Sequence, residues 1–586
     1  MRFVFRYVKK YTWFVILSIL AKTTATFMEL LIPYILEHLL DNVAPGKNMN
    51  EILIWSGIMV VMVGLVWALN VYSNRRAVKT SARCAYEIRR DLFRKSIRLS
   101  GRQFDEFGLP SITSRMTSDS YNLQDFTRMF QSIGIRAPLM LFGGIIVSMS
   151  MDKGLGLILC AIAPITLAAV LVLSFKGIPL YERVQQSLDN ITRIMRENIT
   201  GIRVVKALSK ENFERERYSK TNEEMYSRER KAGTIMALPA PIMTMFLNMG
   251  LTAVVLIGAM RVNSGRTEPG VILAFLTYFN MILMGTMGLS RVLLMMSKAN
   301  ASAIRVAAII NREEDLVPIP VEQAAVTKNP DYIVFEDVSF RYGADSTLND
   351  VSAFAGEERK MSLENISFSI PKGGSLGIIG PTGCGKTTIV NLLMRFYDAT
   401  EGNVFVDGRD VRTYTQEELH RKFGVVFQND MVFADTLAEN IKFGREVSDE
   451  EMRAAAADAC IAGFIESHEQ QYEQMSAAHG ANFSGGQKQR ILISRALAAN
   501  VDILVLDDAS SALDYKTDAA LRKAIREHHS SATTIIIAQR ISSIMMLDRI
   551  MVMEEGRIIG LGTHEELLKS CPGYLDIYNT QMGEES

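Results

Sequence analysis

The sequence predicts a polytopic α-helical membrane domain fused to an α/β domain. Three observations carry this: about six long apolar stretches before residue 300, a change at Asp331 to short Val/Ile/Phe strands alternating with amphipathic helices, and a proline-bearing linker between the two halves. The 64 Lys and Arg balance 64 Asp and Glu, so no net charge points to nucleic acid as a partner.

The apolar stretches run roughly over 12–40, 52–72, 134–151, 155–175, 236–260 and 269–296. Each is close to the about 20 residues that a helix needs to cross a bilayer. The start, MRFVFRYVKKYTW, has the basic character of a signal peptide, but the apolar run behind it is too long and lacks a small-residue cleavage site, so it reads as a retained first span. Arg2, Arg6, Lys9 and Lys10 put the N-terminus in the cytoplasm, and an even number of spans puts the C-terminal half there as well. The expected location is the cytoplasmic membrane, multi-pass, in contact with membrane lipids. The cysteines at 84, 160, 384, 460 and 571 show no paired spacing and indicate neither disulfides nor a zinc site.

The outward loops (DNVAPGKNMN, MDKG, RVNSGRTE) are short, whereas the inward connections near 73–133 and 176–235 are long and charged. NRRAVKTSARCAYEIRRDLFRKSIRL has no helix breaker, so the second span continues as a helix on the order of 35 Å beyond the membrane. At the tips, FDEFGLPSITSRMTSDS and ENITGIRVVKALSKE are interrupted by Gly and Pro and suit short helices. The expected division is a membrane domain over 1–315, a linker over 316–330 and an α/β domain over 331–586. TLNDVS and SLENIS resemble each other around AFAGEERKM, which reads as a loop insertion without an assigned role.

The chemistry lies in the α/β half. SLGIIG leads into GPTGCGKTT, so Gly380–Thr387 fit G-x-x-x-x-G-K-[ST] between a strand and a helix. Gly380, Thr382, Gly383, Cys384 and Gly385 form a turn whose backbone amides approach phosphate oxygens. Lys386 reaches the terminal phosphates, and Thr387 and Thr388 open the helix, Thr387 as a magnesium ligand. Further on, VDILVLD ends a buried strand in Asp507, a second magnesium-holding group, which makes this a P-loop domain for ATP and Mg. In NFSGGQKQR, Ser484, Gly485, Gly486 and Gln487 start another helix and offer a second phosphate-binding end. One nucleotide does not need two such ends in one domain, so this stretch implies a head-to-tail dimer with ATP between the copies.

With these motifs the chain resembles an ATP-binding cassette (ABC) exporter half-transporter along essentially its whole length. The resemblance implies that Tyr342 in SFRYG stacks on adenine. It also implies that Gln428 in GVVFQND senses magnesium and the γ-phosphate, that FSGGQ is the family signature, and that Asp514 in SALD lies in the loop crossing the dimer interface. The tips of the inward loops then resemble coupling helices. Three departures from the family pattern involve four residues. Asp508 stands where Glu is the usual general base; it is one methylene shorter, and the resulting displacement of about 1 Å can cost about a hundredfold in rate. Gln539 replaces the switch histidine and cannot carry a proton as imidazole does. Ala478 and His479 occupy positions where relatives tend to have an acidic residue and an arginine.

The resemblance therefore implies one subunit of a heterodimeric exporter, paired with a second half-transporter. In it this chain's own site is degenerate and its signature completes the partner's active site. The implied activity is ATP-driven export of small amphipathic molecules, drug-like or lipid-like. A homodimeric lipid or peptide exporter and a nucleotide-sensing regulatory subunit without cargo are the alternatives. Lys22 and Glu29, seven residues apart on one face of the first span, read either as substrate-facing groups or as a mutually satisfied pair. Met243, Met245, Met249, Met281, Met284, Met287, Met295 and Met296 would suit an adaptable apolar surface as well as a lipid-facing or core one.

Overall fold

The computed structural model describes residues 2–343, 361–428 and 430–583. TLNDVS and all of AFAGEERKM except Met361 lie outside the described residues. The chain forms two compact units, one of Met1–Ile97 and Pro110–Arg312, the other of Arg98–Leu109 and Glu313–Ser586.

Among the described residues, 6 helical segments are long and apolar enough to cross a membrane, all but Leu109 within the first unit: Thr12–Gly46, Met49–Ile97, Leu109–Met151, Lys153–Thr200, Glu211–Asn263 and Pro269–Ile310. In hydrocarbon the backbone must satisfy its own hydrogen bonds, and a helix does so within each segment. The last segment is the centre of the unit, with 56% of its apolar window buried against 0% for the second. Gly285 and Gly288 allow it to press on the third: a Cβ on Gly285 would lie 2.8 Å from the Ala137 carbonyl, and one on Gly288 would lie 2.9 Å from Ala137 Cβ. Met49–Ile97 is a single helix of 49 residues, so the second span does run on into its stalk. Of the eight methionines, Met243 is buried, Met281 and Met295 are half-buried and the other five are exposed.

Lys22 and Glu29 do not pair with each other, which corrects the reading of a mutually satisfied pair. The buried Lys22 ammonium donates to the Asn70 and Asn74 side-chain oxygens (2.7 and 3.3 Å), and Glu29 accepts from Arg136 on the third span (2.6 Å). Ten residues into a helix from Thr12, Lys22 lies about 15 Å along its axis, and Glu29 about 26 Å. Seven residues is two helical turns, about 10 Å, so each group meets a neighbouring span sooner than the other.

In the second unit, the strands are β1 (Ile333–Phe340), β2 (Leu363–Ile370), β3 (Ser375–Ile379), β4 (Glu401–Val406), β5 (Arg409–Asp410), β6 (Phe423–Val426), β7 (Ile503–Asp507), β8 (Thr533–Ile537), β9 (Arg549–Glu554) and β10 (Arg557–Gly562). The 6-stranded sheet has the order β10-β9-β3-β8-β7-β6, parallel from β9 to β6 with β10 antiparallel at the edge. An antiparallel 4-stranded sheet, β2-β1-β4-β5, accompanies it. The unbroken apolar run of β7 has a simple cause. Ile503 and Val505 enter one core, with β1, β2 and the helix Lys386–Leu393, whereas Leu504 and Leu506 enter the other, with the helices between Leu437 and Ala498.

Both inward tips carry short helices. Gly101–Phe107, capped by Ser100, belongs to the second unit: Gly101 N donates to the Phe396 carbonyl (3.2 Å) and the Tyr397 hydroxyl to Asp105 (2.6 Å). Ile202–Ala207 is the other, between Gly201 and Ser209, and none of its residues is buried.

The Glu29–Arg136 pair makes one contact, and Glu29 Oε2 and Arg136 Nε are buried without a hydrogen-bond partner. Arg136→Met alone should therefore lower the thermal midpoint of the detergent-purified protein by about 5 °C more than the double change Glu29→Gln/Arg136→Met, because the single change strands a carboxylate in low dielectric.

Candidate nucleotide-binding site

The parallel order of the large sheet builds the site. β3 is flanked by β8, and β8 by β7, so the loop after β3 and the tip of β7 emerge at one edge although about 120 residues separate them. In that loop a Cβ on Gly380 would lie 2.2 Å from the Met553 carbonyl, so only glycine fits. Gly385 caps the helix Lys386–Leu393 with φ 100°, a conformation that glycine reaches without strain. The Lys386 ammonium donates to the carbonyls of Gly380 and Pro381, each at 2.8 Å, so the loop curls around its own lysine. The Thr387 hydroxyl donates to Asp507 Oδ2 at 2.7 Å. Asp508 sits in the left-handed region (φ 52°), its N–H held by the Ile537 carbonyl (2.9 Å), and its Oδ2 accepts from the Gln539 amide at 2.9 Å.

These groups surround a cavity of about 340 Å³, a size suited to a small-molecule ligand. Tyr342, Thr382, Gly383, Gly385, Lys386, Thr387, Thr388, Gln428, Asp507, Asp508 and Gln539 line it. Gly380 and Cys384 do not; the Cys384 side chain is buried beneath the loop. Tyr342 is fixed through its hydroxyl, which donates to Thr388 (3.2 Å) and accepts from Asn391 (3.1 Å), while Phe340 and Tyr397 pack edge-on against its ring. Ser362 and Ile537 also line the cavity, and Asn391 supports Tyr342 from behind; sequence reasoning missed all three. Only Asn391 had a usable signal, since it falls three residues after Thr388 on the same helix face.

Burial pushes the carboxyls of both Asp507 and Asp508 above the usual carboxylate range. The Thr387 hydroxyl opposes this at Asp507, and Lys386 and then Gln539 oppose it at Asp508. A divalent cation would favour the ionised forms, and the pairing of Thr387 with Asp507, with Gln428 across the cavity, is a donor set of the hard oxygens that Mg²⁺ takes.

The stretch Ser484–Gln487 does not line this cavity. Ser484 caps the helix Gly485–Leu497 in a reciprocal box: its hydroxyl accepts from Gln487 N (3.3 Å), and the Gln487 side chain accepts from Ser484 N (2.8 Å). Gln489 binds this helix to the segment after β7, donating to Ser511 Oγ (3.1 Å) and accepting from Ala512 N (2.9 Å). Asp514 caps the next helix, Tyr515–His528, through Thr517 N (2.9 Å).

The chain is 31% identical over 580 residues to an uncharacterized ABC transporter ATP-binding protein of Mycobacterium tuberculosis, covering 98% of this chain and 97% of that one. It belongs to the ABC transporter family. Within it, residues 15–287 match the ABC transporter transmembrane region and residues 363–511 the ABC transporter model. A Bacillus subtilis ABC transporter ATP-binding protein is 31% identical over 99% of this chain and 98% of its own. An ATP-dependent lipid A-core flippase of Desulfotalea psychrophila is 34% identical over 74% of this chain and 73% of its own. The fold matches the structure of a bacterial Atm1-family ABC exporter with ATP bound, with a TM-score of 0.78, 24% identity and 99% coverage of both chains. The protein is thus a multi-pass membrane ABC transporter, and its nucleotide-binding domain is of the kind that couples ATP hydrolysis to transport.

The raised Asp507 carboxyl gives a signed prediction. A folded-state proton affinity above the unfolded one adds stability that is complete below the ordinary carboxylate pKa and is lost as pH rises through the folded value. At pH 7.5, without nucleotide or Mg²⁺, Asp507→Asn should raise the thermal midpoint by about 2–4 °C, and the gain should shrink toward pH 5. With Mg-ATP the order should reverse, because the variant loses most of the ligand-induced shift.

Proposed function

We propose that this chain is one half of a heterodimeric ABC exporter of small amphipathic molecules, binding ATP in its own site but hydrolysing it slowly there. The observation that carries this is the 2.9 Å hydrogen bond from the Gln539 amide to Asp508 Oδ2. The carboxylate at the general-base position is one methylene shorter than glutamate, and one of its oxygens is engaged by an amide that cannot exchange a proton. The binding apparatus is complete beside it: Tyr342 for the base, Lys386 for the phosphates, and Thr387, Gln428 and Asp507 for magnesium. Bound Mg²⁺ would neutralise charge on the phosphates.

The capped helix start at Ser484–Gln487, with Ser484 and Gly485 exposed, suits the opposite role. It lies away from this chain's own cavity, and its Ser and Gly backbone offers phosphate-binding amides to the site of a second half-transporter. In this reading ATP closes the paired domains, the stalks carry that movement to the spans, and hydrolysis at the partner's site resets them. The short helices Gly101–Phe107 and Ile202–Ala207 are the coupling elements, both termini are cytoplasmic, and the membrane is the cytoplasmic one.

In the mixed dimer, Ser484→Ala should lower ATP turnover at least about tenfold, whereas Asp508→Asn should leave most of it. Phosphate release from the purified pair measures both. The opposite ranking, or equally fast turnover by this chain alone, would reverse the assignment.

A further inference from the structure

The start of the second stalk carries positive charge without a counter-ion. Arg76, Lys79 and Arg83 follow one another at helical spacings of three and four, so they share one face and repel. Among the described residues, no Asp or Glu lies within 4.0 Å of any of the three. The nearest acid along the helix, Glu87, is already engaged by the Lys10 ammonium (2.6 Å) and the Tyr11 hydroxyl (2.5 Å). With Tyr11, Phe14 and Thr80 the three cations line a crevice between the start of the first span and the second helix. The Arg76 guanidinium lies over the rings of Phe14 and Tyr72, 5.4 and 5.2 Å from their centroids.

The depth of this crevice follows from the packing of the two helices. Ser18 bonds to the Ser73 carbonyl (3.1 Å), and Lys22 to Asn70 (2.7 Å), so in this antiparallel pair the first turns after Thr12 lie level with the turns after Tyr72, where the apolar run of the second span stops. The crevice is therefore at the edge of the hydrocarbon, where phospholipid phosphates lie. Phe14 and Tyr72 offer an apolar wall on the span side, and Trp13, 72% exposed, stands next to it at the same level. A free phosphate ion would use the cations but not this wall.

We infer that this crevice binds the phosphate of an anionic phospholipid, with Arg76, Lys79 and Arg83 around the headgroup and the first acyl carbons along Phe14 and Tyr72. The site is separate from the nucleotide cavity and does not depend on what the transporter exports.

The test uses the full-length protein in nanodiscs of equal phosphatidylglycerol and phosphatidylcholine with matched acyl chains, with the lipids retained by the protein counted by native mass spectrometry. The wild type should retain phosphatidylglycerol over phosphatidylcholine by about tenfold. Arg76→Gln/Lys79→Gln/Arg83→Gln should abolish the preference, whereas Lys516→Gln/Lys523→Gln/Arg526→Gln, an equal loss of charge on the helix Tyr515–His528, should leave it intact. If the triple variant fails to fold, Lys79→Glu alone should lower the preference severalfold. Equal retention of the two lipids by the wild type, or an unchanged preference in the crevice variant, would overturn the inference. Loss of the wild-type preference in 10 mM inorganic phosphate (about a thousandfold excess over protein) would likewise overturn the lipid assignment in favour of a free-anion site.

Discussion

The parallel pairing of β3 with β8 and of β8 with β7 is the constraint on which the nucleotide site depends. The phosphate-type loop and the paired aspartates come from sequence segments that share no local structure, and only this strand order brings Thr387 within 2.7 Å of Asp507. The order in turn rests on β7 and β8 being apolar on both faces, which is possible because each has a core on either side. A polar residue at Val505 or Ile536 would disturb the site without touching it.

Much of this was legible in the sequence, and the reasons differ between the halves. The P-loop and the strand ending in Asp507 could be read because phosphate binding dictates both residue type and spacing, and eleven of the predicted residues do line one cavity. The bond between Gln539 and Asp508 could not be read: it joins two positions 31 residues apart whose approach depends on the backbone turn after β7. Ser362 and Ile537 were invisible for another reason: neither residue type has a chemistry that announces it.

In the membrane half, hydropathy gave the spans because the bilayer imposes length and composition together. It could not give partners. Lys22 and Glu29 share a helical face, and a helical wheel therefore suggests that they meet; the structure instead gives each a neighbour on another span. The cost of an unpaired charge in hydrocarbon is met by whichever polar group is nearest in three dimensions, and Asn70, Asn74 and Arg136 carry no signal of that role in one dimension.

The unbroken helix Met49–Ile97 has a mechanical consequence. The part beyond Tyr72 is about 25 residues, or about 37 Å, and in the coupling proposed above it would serve as a lever arm. A tilt of about 5° at its fulcrum swings the far end by about 3 Å, the width of one atom layer. Such leverage works only if the rod does not flex, and the stripe of Ala77, Ser81, Cys84, Ala85, Ile88 and Leu92 buried along its length braces it against its neighbours. Small rotations can then travel the length of the arm without any side chain changing its partner.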